Sequence, residues 1–92
     1  MGATDPIMDP ERVMRVRDRE RLRYYRKANG LSQDRVAAYA GVTRGAITRL
    51  ENGYGPGSDP GITRGRAARI AELLQVPEHR LFLPKDGRGG RT

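Results

Sequence analysis

A chain of 92 residues has room for one small domain with a modest hydrophobic core. It contains no cysteine, which excludes a disulfide framework and a thiolate zinc site. No apolar run is long enough for a membrane span or a signal peptide. The net charge of +7, from 18 basic and 11 acidic side chains, favours a polyanionic partner. Nearly all of the basic side chains are arginines. A GC-rich genome is an alternative explanation for this preference for arginine over lysine, but it does not explain the net charge. We therefore expect a cytoplasmic protein with an anionic partner.

The first part of the chain combines a helix-start signal with a run of charges. Residues 9–11, Asp-Pro-Glu, place a capping acid before a proline and a second acid, which is typical of a helix start. A charged stretch follows over residues 12–27, but its apolar positions lapse over residues 17–21. One long helix and two shorter ones therefore both remain open. The stretch ends at Gly30, since glycine readily adopts the left-handed conformation of a helix C-cap.

Two short helices joined by a tight turn are predicted in the middle of the chain. Ser32 is placed to cap the first helix, over residues 33–40, whose apolar side chains recur on one face. Gly41 ends this helix after about two turns. Thr43 is placed to cap the next one, because a threonine oxygen accepts a hydrogen bond from a first-turn N–H group. That helix continues to an Asn-Gly pair at residues 52–53.

The second half of the chain is predicted to hold a surface loop and two more helices. Glycine and proline recur through residues 53–61, which is typical of a loop. A fourth helix opens at Ser58 or Thr63 and keeps a helical apolar period to Leu74. A short last helix over residues 77–81 is expected to close the core.

Several features of residues 30–53 occur together in one order. A Gly-Leu-Ser-Gln sequence begins the first of the two central helices, and Glu-Asn-Gly ends the second. Ala37 is small at the place where the two helices are expected to cross. Gly41 lies in the turn between them. With these features, LSQDRVAAYAGVTRGAITRLENG resembles the helix-turn-helix of the phage repressor and Cro family, the XRE-like regulators. The resemblance extends from about Leu22 to Phe82.

The resemblance implies an all-α fold, a compact bundle of about five short helices of the repressor-like helix-turn-helix type. The DNA-binding domain is expected over residues 18–83. A charged N-terminal extension over residues 1–17 and a flexible Gly/Arg-rich tail over residues 84–92 flank it. The extension is expected to be a solvated helix with local ion pairs. Its arginines offer two alternatives, contact with the DNA backbone or with a protein partner.

By the same resemblance, the helix over residues 43–52 reads base edges in the major groove. Its outward positions are Arg44, Gly45, Thr48 and Arg49. Each arginine can donate two hydrogen bonds to the O6 and N7 atoms of guanine, whereas Gly45 leaves one reading position without a side chain. The alternative for the two arginines is a solvated helix face.

Contacts to the DNA backbone are implied at the ends of the two central helices. Gln33 is expected to approach a phosphate or the outermost base. Thr43 and Asn52 are expected to donate to phosphates, which sets register without reading sequence. Capping alone is the alternative for Thr43. Further backbone contacts are expected from the loop and from the start of the fourth helix, at Tyr54, Arg64 and Arg66. For the two arginines solvation is an equal alternative, because the helix dipole disfavours positive charge there.

Arg26 and Glu51 correspond to a structural ion pair of the family, which links the first helix to the end of the reading helix. Its expected role is to orient that helix rather than to contact DNA. A buried pair need not add net stability, but the loss of one partner leaves an uncompensated charge.

The expected function is sequence-specific binding of double-stranded DNA by a transcriptional regulator, most simply a repressor. A homodimer on an inverted repeat is the natural arrangement, and the protein would be nucleoid-associated. One alternative is the antitoxin and autoregulator of a toxin–antitoxin pair. A second is a protein-interaction adaptor on the same fold. An RNA-binding protein is disfavoured because the few aromatic side chains form no stacking platform.

No enzyme activity, cofactor, metal or membrane contact is expected. His79 is the only histidine in the sequence. The chain offers neither a nucleophile–base set nor a cluster of acids with metal-ligand spacing. The sequence therefore predicts a binding protein.

Overall fold

Five helices and a three-stranded sheet make up the computed structural model, which describes residues 11–53 and 60–85. In chain order the elements are β1 (Val13–Val16), α1 (Arg19–Ala28), α2 (Gln33–Ala40), α3 (Arg44–Asn52), β2 (Gly61–Thr63), α4 (Arg64–Leu74), α5 (Glu78–Leu81) and β3 (Phe82–Pro84). The prediction of about five short helices is confirmed. The all-α fold class is only approximate, because it omits the sheet.

β1 is the central strand and pairs antiparallel with both β2 and β3. Met14 lies opposite Ile62, and Val16 lies opposite Phe82. All four of these residues belong to the buried core. The sheet therefore ties the start of the described chain to the end of the last helix.

The helix expected through the charged stretch is wrong for residues 13–16. The spacing of Val13 and Val16 suggests a helical face, but the inward pair is Met14 and Val16, two residues apart, as in a strand. Val13 is 46% exposed. A strand with two buried side chains thus replaces the solvated helix expected for this part of the extension. Pairing with strands far along the chain outweighs the local helix signal.

α1 begins at Arg19, so the charged stretch is divided rather than one long helix. Asp18 is the N-cap, and its side chain accepts hydrogen bonds from the backbone N–H groups of Glu20 and Arg21. The predicted end of the helix is confirmed, since Gly30 has a φ of 69° in the turn that follows.

The central pair of helices has the predicted bounds. The side chains of Ser32 and Thr43 each accept a hydrogen bond from a backbone N–H group in the first turn of the helix they cap. Gly41 lies between the helices with a φ of 77°, where a β-carbon would be strained. Ala37 is 3% exposed and belongs to the core. These local predictions are confirmed.

α4 and α5 complete the helical part of the fold. Thr63 precedes α4 as predicted, although its side chain forms no capping hydrogen bond. Leu81 and Phe82 are almost fully buried, as expected for residues that close the core. Pro84 was assigned to the tail but belongs to β3. Residues 54–59, which include the alternative helix start at Ser58, and residues 86–92 of the predicted tail lie outside the described residues.

Candidate nucleic-acid interface

α3 presents one face to the core and another to solvent. Ile47 and Leu50 are buried and fix the inner face. Arg44, Gly45 and Arg49 are exposed. The structure therefore places three of the predicted reading positions on the surface of a helix that is anchored behind them.

The side chains of Thr48 and Gln33 lie within hydrogen-bond distance of each other. Thr48 Oγ1 lies 2.9 Å from Gln33 Oε1 and 3.1 Å from the backbone oxygen of Arg44, and its single proton can serve one of these acceptors at a time. Gln33 Nε2 donates to Glu51 Oε1 at 3.0 Å. A predicted base contact and a predicted phosphate contact thus belong to one hydrogen-bond chain between α2 and α3.

Glu51 is the buried centre of this group of hydrogen-bonded side chains. It is 2% exposed, and it accepts hydrogen bonds from Arg26 Nε at 2.5 Å and from Arg26 Nη2 at 3.0 Å. Arg26 also donates from Nη1 to the backbone oxygen of Leu31 at 2.8 Å. The structure therefore brings the predicted ion pair together. The pair joins α1, the turn before α2 and the last turn of α3.

Thr43 and Gly45 lie at the beginning of α3. Thr43 Oγ1 accepts from the N–H group of Ala46 at 3.1 Å, so the capping role is present. An accepted hydrogen bond leaves the hydroxyl proton free to be donated elsewhere. A β-carbon added at Gly45 would meet only Thr43 Oγ1, at 3.8 Å. The missing side chain at Gly45 is therefore not required by packing within the protein.

Two arginines of α1 that were not among the predicted site residues contact the end of α3. Arg23 Nη2 donates to the backbone oxygen of Glu51 at 3.3 Å and to Asn52 Oδ1. Arg19 Nη1 donates to the backbone oxygen of Asn52 at 3.2 Å. The spacing of Arg19, Arg23 and Arg26 places them on one face of α1. This spacing is the sequence signal that could have indicated a shared partner.

The start of α4 supplies only part of the predicted backbone surface. Arg64 Nε donates to Glu78 Oε2 at 3.1 Å, so this arginine is paired with a carboxylate of α5. Arg66 is exposed, and it lines a groove of about 430 Å³ together with Arg49 of α3. Tyr54 lies outside the described residues. The groove brings one predicted backbone contact and one predicted base reader to the same surface.

A helix-turn-helix family model matches residues 22–81, which is more than half of the chain. The chain belongs to this helix-turn-helix family. The resemblance to XRE-like regulators is thereby confirmed. β1 lies outside the matched residues, so the central strand of the sheet is not part of the match.

One solved structure with a similar fold is that of a hypothetical transcription factor, NHTF, from Neisseria. The TM-score is 0.55 with 23% sequence identity, over 80% of this helix-turn-helix chain and 79% of that chain. At this level of identity the likeness shows a shared fold. No curated protein matches the chain.

The described part of this helix-turn-helix protein holds neither a metal-binding cluster nor a membrane-spanning helix. Over residues 11–53 and 60–85, no group of three or more His, Cys, Asp or Glu side chains could hold a metal ion. No helix within the same ranges is long and apolar enough to cross a membrane.

Proposed function

We propose that this helix-turn-helix protein is a transcriptional regulator that binds duplex DNA in a sequence-specific manner, with α3 in the major groove. The observation that carries the proposal is a pair of exposed arginines, Arg44 and Arg49, on a helix whose other side is fixed by the buried Glu51 network. The major groove of B-DNA is about 12 Å wide and admits an α-helix. A net charge of +7 supports binding to a phosphate backbone.

Arg44 and Arg49 are the proposed readers of guanine. Each would donate to the O6 and N7 atoms, and such a contact contributes about 1–3 kcal/mol of discrimination. Thr48 is proposed to offer its hydroxyl group to a base edge, exchanging a hydrogen bond that it makes within the protein. Gly45 would let the groove floor approach the helix closely.

The proposed backbone contacts lie around this reading face. Gln33, Thr43 and Asn52 would bind phosphates at the ends of α2 and α3, where they fix the register of the helix on the duplex. The remaining proposed contacts are Tyr54, Arg64 and Arg66. For Arg64 a phosphate would have to replace Glu78 as the partner of the guanidinium group.

We further propose a homodimer that acts as a repressor on an inverted repeat. α3 has nine residues, so one copy can contact only a short half-site. Two copies related by a two-fold axis would place their α3 helices in successive major grooves, about 34 Å apart. The dimer would then read two half-sites one helical turn apart.

Selection of bound sequences from a random pool of duplexes tests this function. The expected result is a palindromic motif with guanines in each half-site, together with affinity that falls steeply as salt rises. Recovery of no shared motif would contradict sequence-specific binding. Stronger competition by structured RNA than by duplex DNA would contradict the class of ligand.

A further inference from the structure

The C-terminal end of α3 is held by two arginines of α1, Arg23 and Arg19. Arg23 donates to the backbone oxygen of Glu51 and to the side-chain oxygen of Asn52, and Arg19 donates to the backbone oxygen of Asn52. The last carbonyl groups of a helix lack partners within the helix and carry the negative end of its dipole. The two guanidinium groups donate to these carbonyl oxygens, and their positive charge balances the negative end of the helix dipole.

These contacts determine the orientation of the Asn52 side chain. A guanidinium group can only donate, so the amide atom that faces Arg23 must be the oxygen. The NH₂ group is at the other end of the same planar amide and is turned away from Arg23. Asn52 is exposed, at the edge of the reading face of α3. The orientation leaves the NH₂ group as a neutral donor that does not face Arg23.

The guanidinium group of Arg19 also lies close to Gly53, the residue that follows α3. A β-carbon added at Gly53 would lie 2.6 Å from Arg19 Nη1. Gly53 has a φ of 74°, a backbone conformation that favours glycine. Gly53 therefore lies against the guanidinium group of Arg19. The side chains of Arg19, Arg23 and Asn52 thus meet at the end of α3, beside Gly53.

We infer that Arg23, supported by Arg19, is a positioning residue that holds the Asn52 amide so that its NH₂ group donates to a DNA phosphate. The inference rests on the proposed function, because it concerns a contact made to bound duplex. Arg23 acts through Asn52 and not as a counter-charge of its own. The competing arrangement is direct contact between a phosphate and Arg23, whose side chain is 39% exposed.

A double-mutant cycle on the full chain, with the duplex recovered by selection, separates the two arrangements. Arg23→Ala and Asn52→Ala are each expected to weaken binding by roughly two- to tenfold. The double variant is expected to bind no more weakly than Asn52→Ala alone, because both substitutions remove the same contact. Thermal unfolding of each variant checks that it is folded.

Arg21→Ala is the matched control for charge. Arg21 lies on the same helix and is exposed, and it forms an ion pair with Asp18 at 3.8 Å. The slope of log K against log salt is expected to be the same for Arg23→Ala and Arg21→Ala. Two results together would overturn the inference. The effects of Arg23→Ala and Asn52→Ala would be additive, and the slope would be shallower by about 0.9 only in Arg23→Ala. Arg23 would then contact the phosphate itself.

A measurement without DNA keeps the inference separate from the proposed function. NMR relaxation of the Asn52 side-chain NH₂ group is expected to show greater mobility in Arg23→Ala but not in Arg21→Ala. Unchanged mobility in Arg23→Ala would overturn the positioning role. Absence of duplex binding by the unmodified chain would overturn the proposed function and this inference with it, whereas retained binding with additive effects overturns the inference alone.

Discussion

Glu51 is a buried carboxylate whose charge is matched by the side chains around it. It accepts two hydrogen bonds from Arg26 and one from Gln33. An ionised carboxylate buried without such partners would cost several kcal/mol. Gln33 Oε1 in turn lies 2.9 Å from Thr48 Oγ1 on α3 and is one of two acceptors for its proton. A buried ion pair is therefore connected through Gln33 to a side chain on the candidate reading face.

Replacement of Glu51 by alanine is expected to lower the free energy of unfolding by about 3–5 kcal/mol. The physical reason is that the Arg26 side chain, 11% exposed, would lose the carboxylate that balances its charge. Glu72→Ala is the control, since Glu72 is exposed on α4 and its loss is expected to change the free energy of unfolding by less than about 0.5 kcal/mol. Urea denaturation measures both values. Equal losses would contradict a buried network.

Gly41 and Gly45 separate the effect of backbone conformation from the effect of space. A β-carbon meets no atom within 4 Å at Gly41 and only one, at 3.8 Å, at Gly45. Gly41 has a φ of 77°, whereas Gly45 lies within α3. Gly41→Ala is therefore expected to destabilise the fold by about 1 kcal/mol, and Gly45→Ala to stabilise it by about 0.5–1 kcal/mol. Thermal unfolding would contradict this account if both changes had the same sign.

Among the elements, the helices of the helix-turn-helix pair could be predicted because their starts and stops depend on a few adjacent residues. Ser32, Gly41 and Thr43 have the capping and turn geometry that their residue types favour. β1 could not be predicted in this way. Its partners, β2 and β3, lie in the second half of the chain, and a helix-start signal at residues 9–11 precedes it.

The candidate site likewise has one part that the sequence could indicate and one part that it could not. The family pattern indicated the pair of Arg26 and Glu51, and the structure brings these residues together. The contacts of Arg19 and Arg23 with the end of α3 depend on how α1 crosses that end. Helical spacing places these arginines on one face but does not say which element the face meets. The unpredicted part of the site is therefore set by tertiary packing.

The role of β1 can be tested within the strand itself. Met14→Ala is expected to lower the free energy of unfolding by about 2–5 kcal/mol, because Met14 is 5% exposed in the core. Val13→Ala, one residue earlier and 46% exposed, is the control and is expected to cost much less. Urea denaturation of both variants gives the comparison. Similar losses would show that the side chains of this segment do not alternate between core and solvent.

At the scale of the whole molecule, charge and shape contribute different parts of the proposed activity. The net charge of +7 supplies attraction to any duplex, and that attraction weakens as salt rises. Discrimination between duplexes depends instead on the few side chains of α3 that reach base edges. Salt is therefore expected to lower the affinity for matched and unmatched duplexes together.

The most direct test of α3 as the base reader is the affinity for a selected duplex in which 7-deazaguanine replaces the guanines of the motif. This change removes the N7 acceptor from the major groove and leaves base pairing in place. The unmodified chain is expected to lose up to about 1–3 kcal/mol per guanine contact.

Variants Arg44→Ala and Arg49→Ala should each lose sensitivity at the guanine that they no longer contact. Arg35→Ala, which removes an exposed charge from α2, should keep full sensitivity. Undiminished affinity of the unmodified chain for the substituted duplex would contradict base reading from the major groove by these arginines.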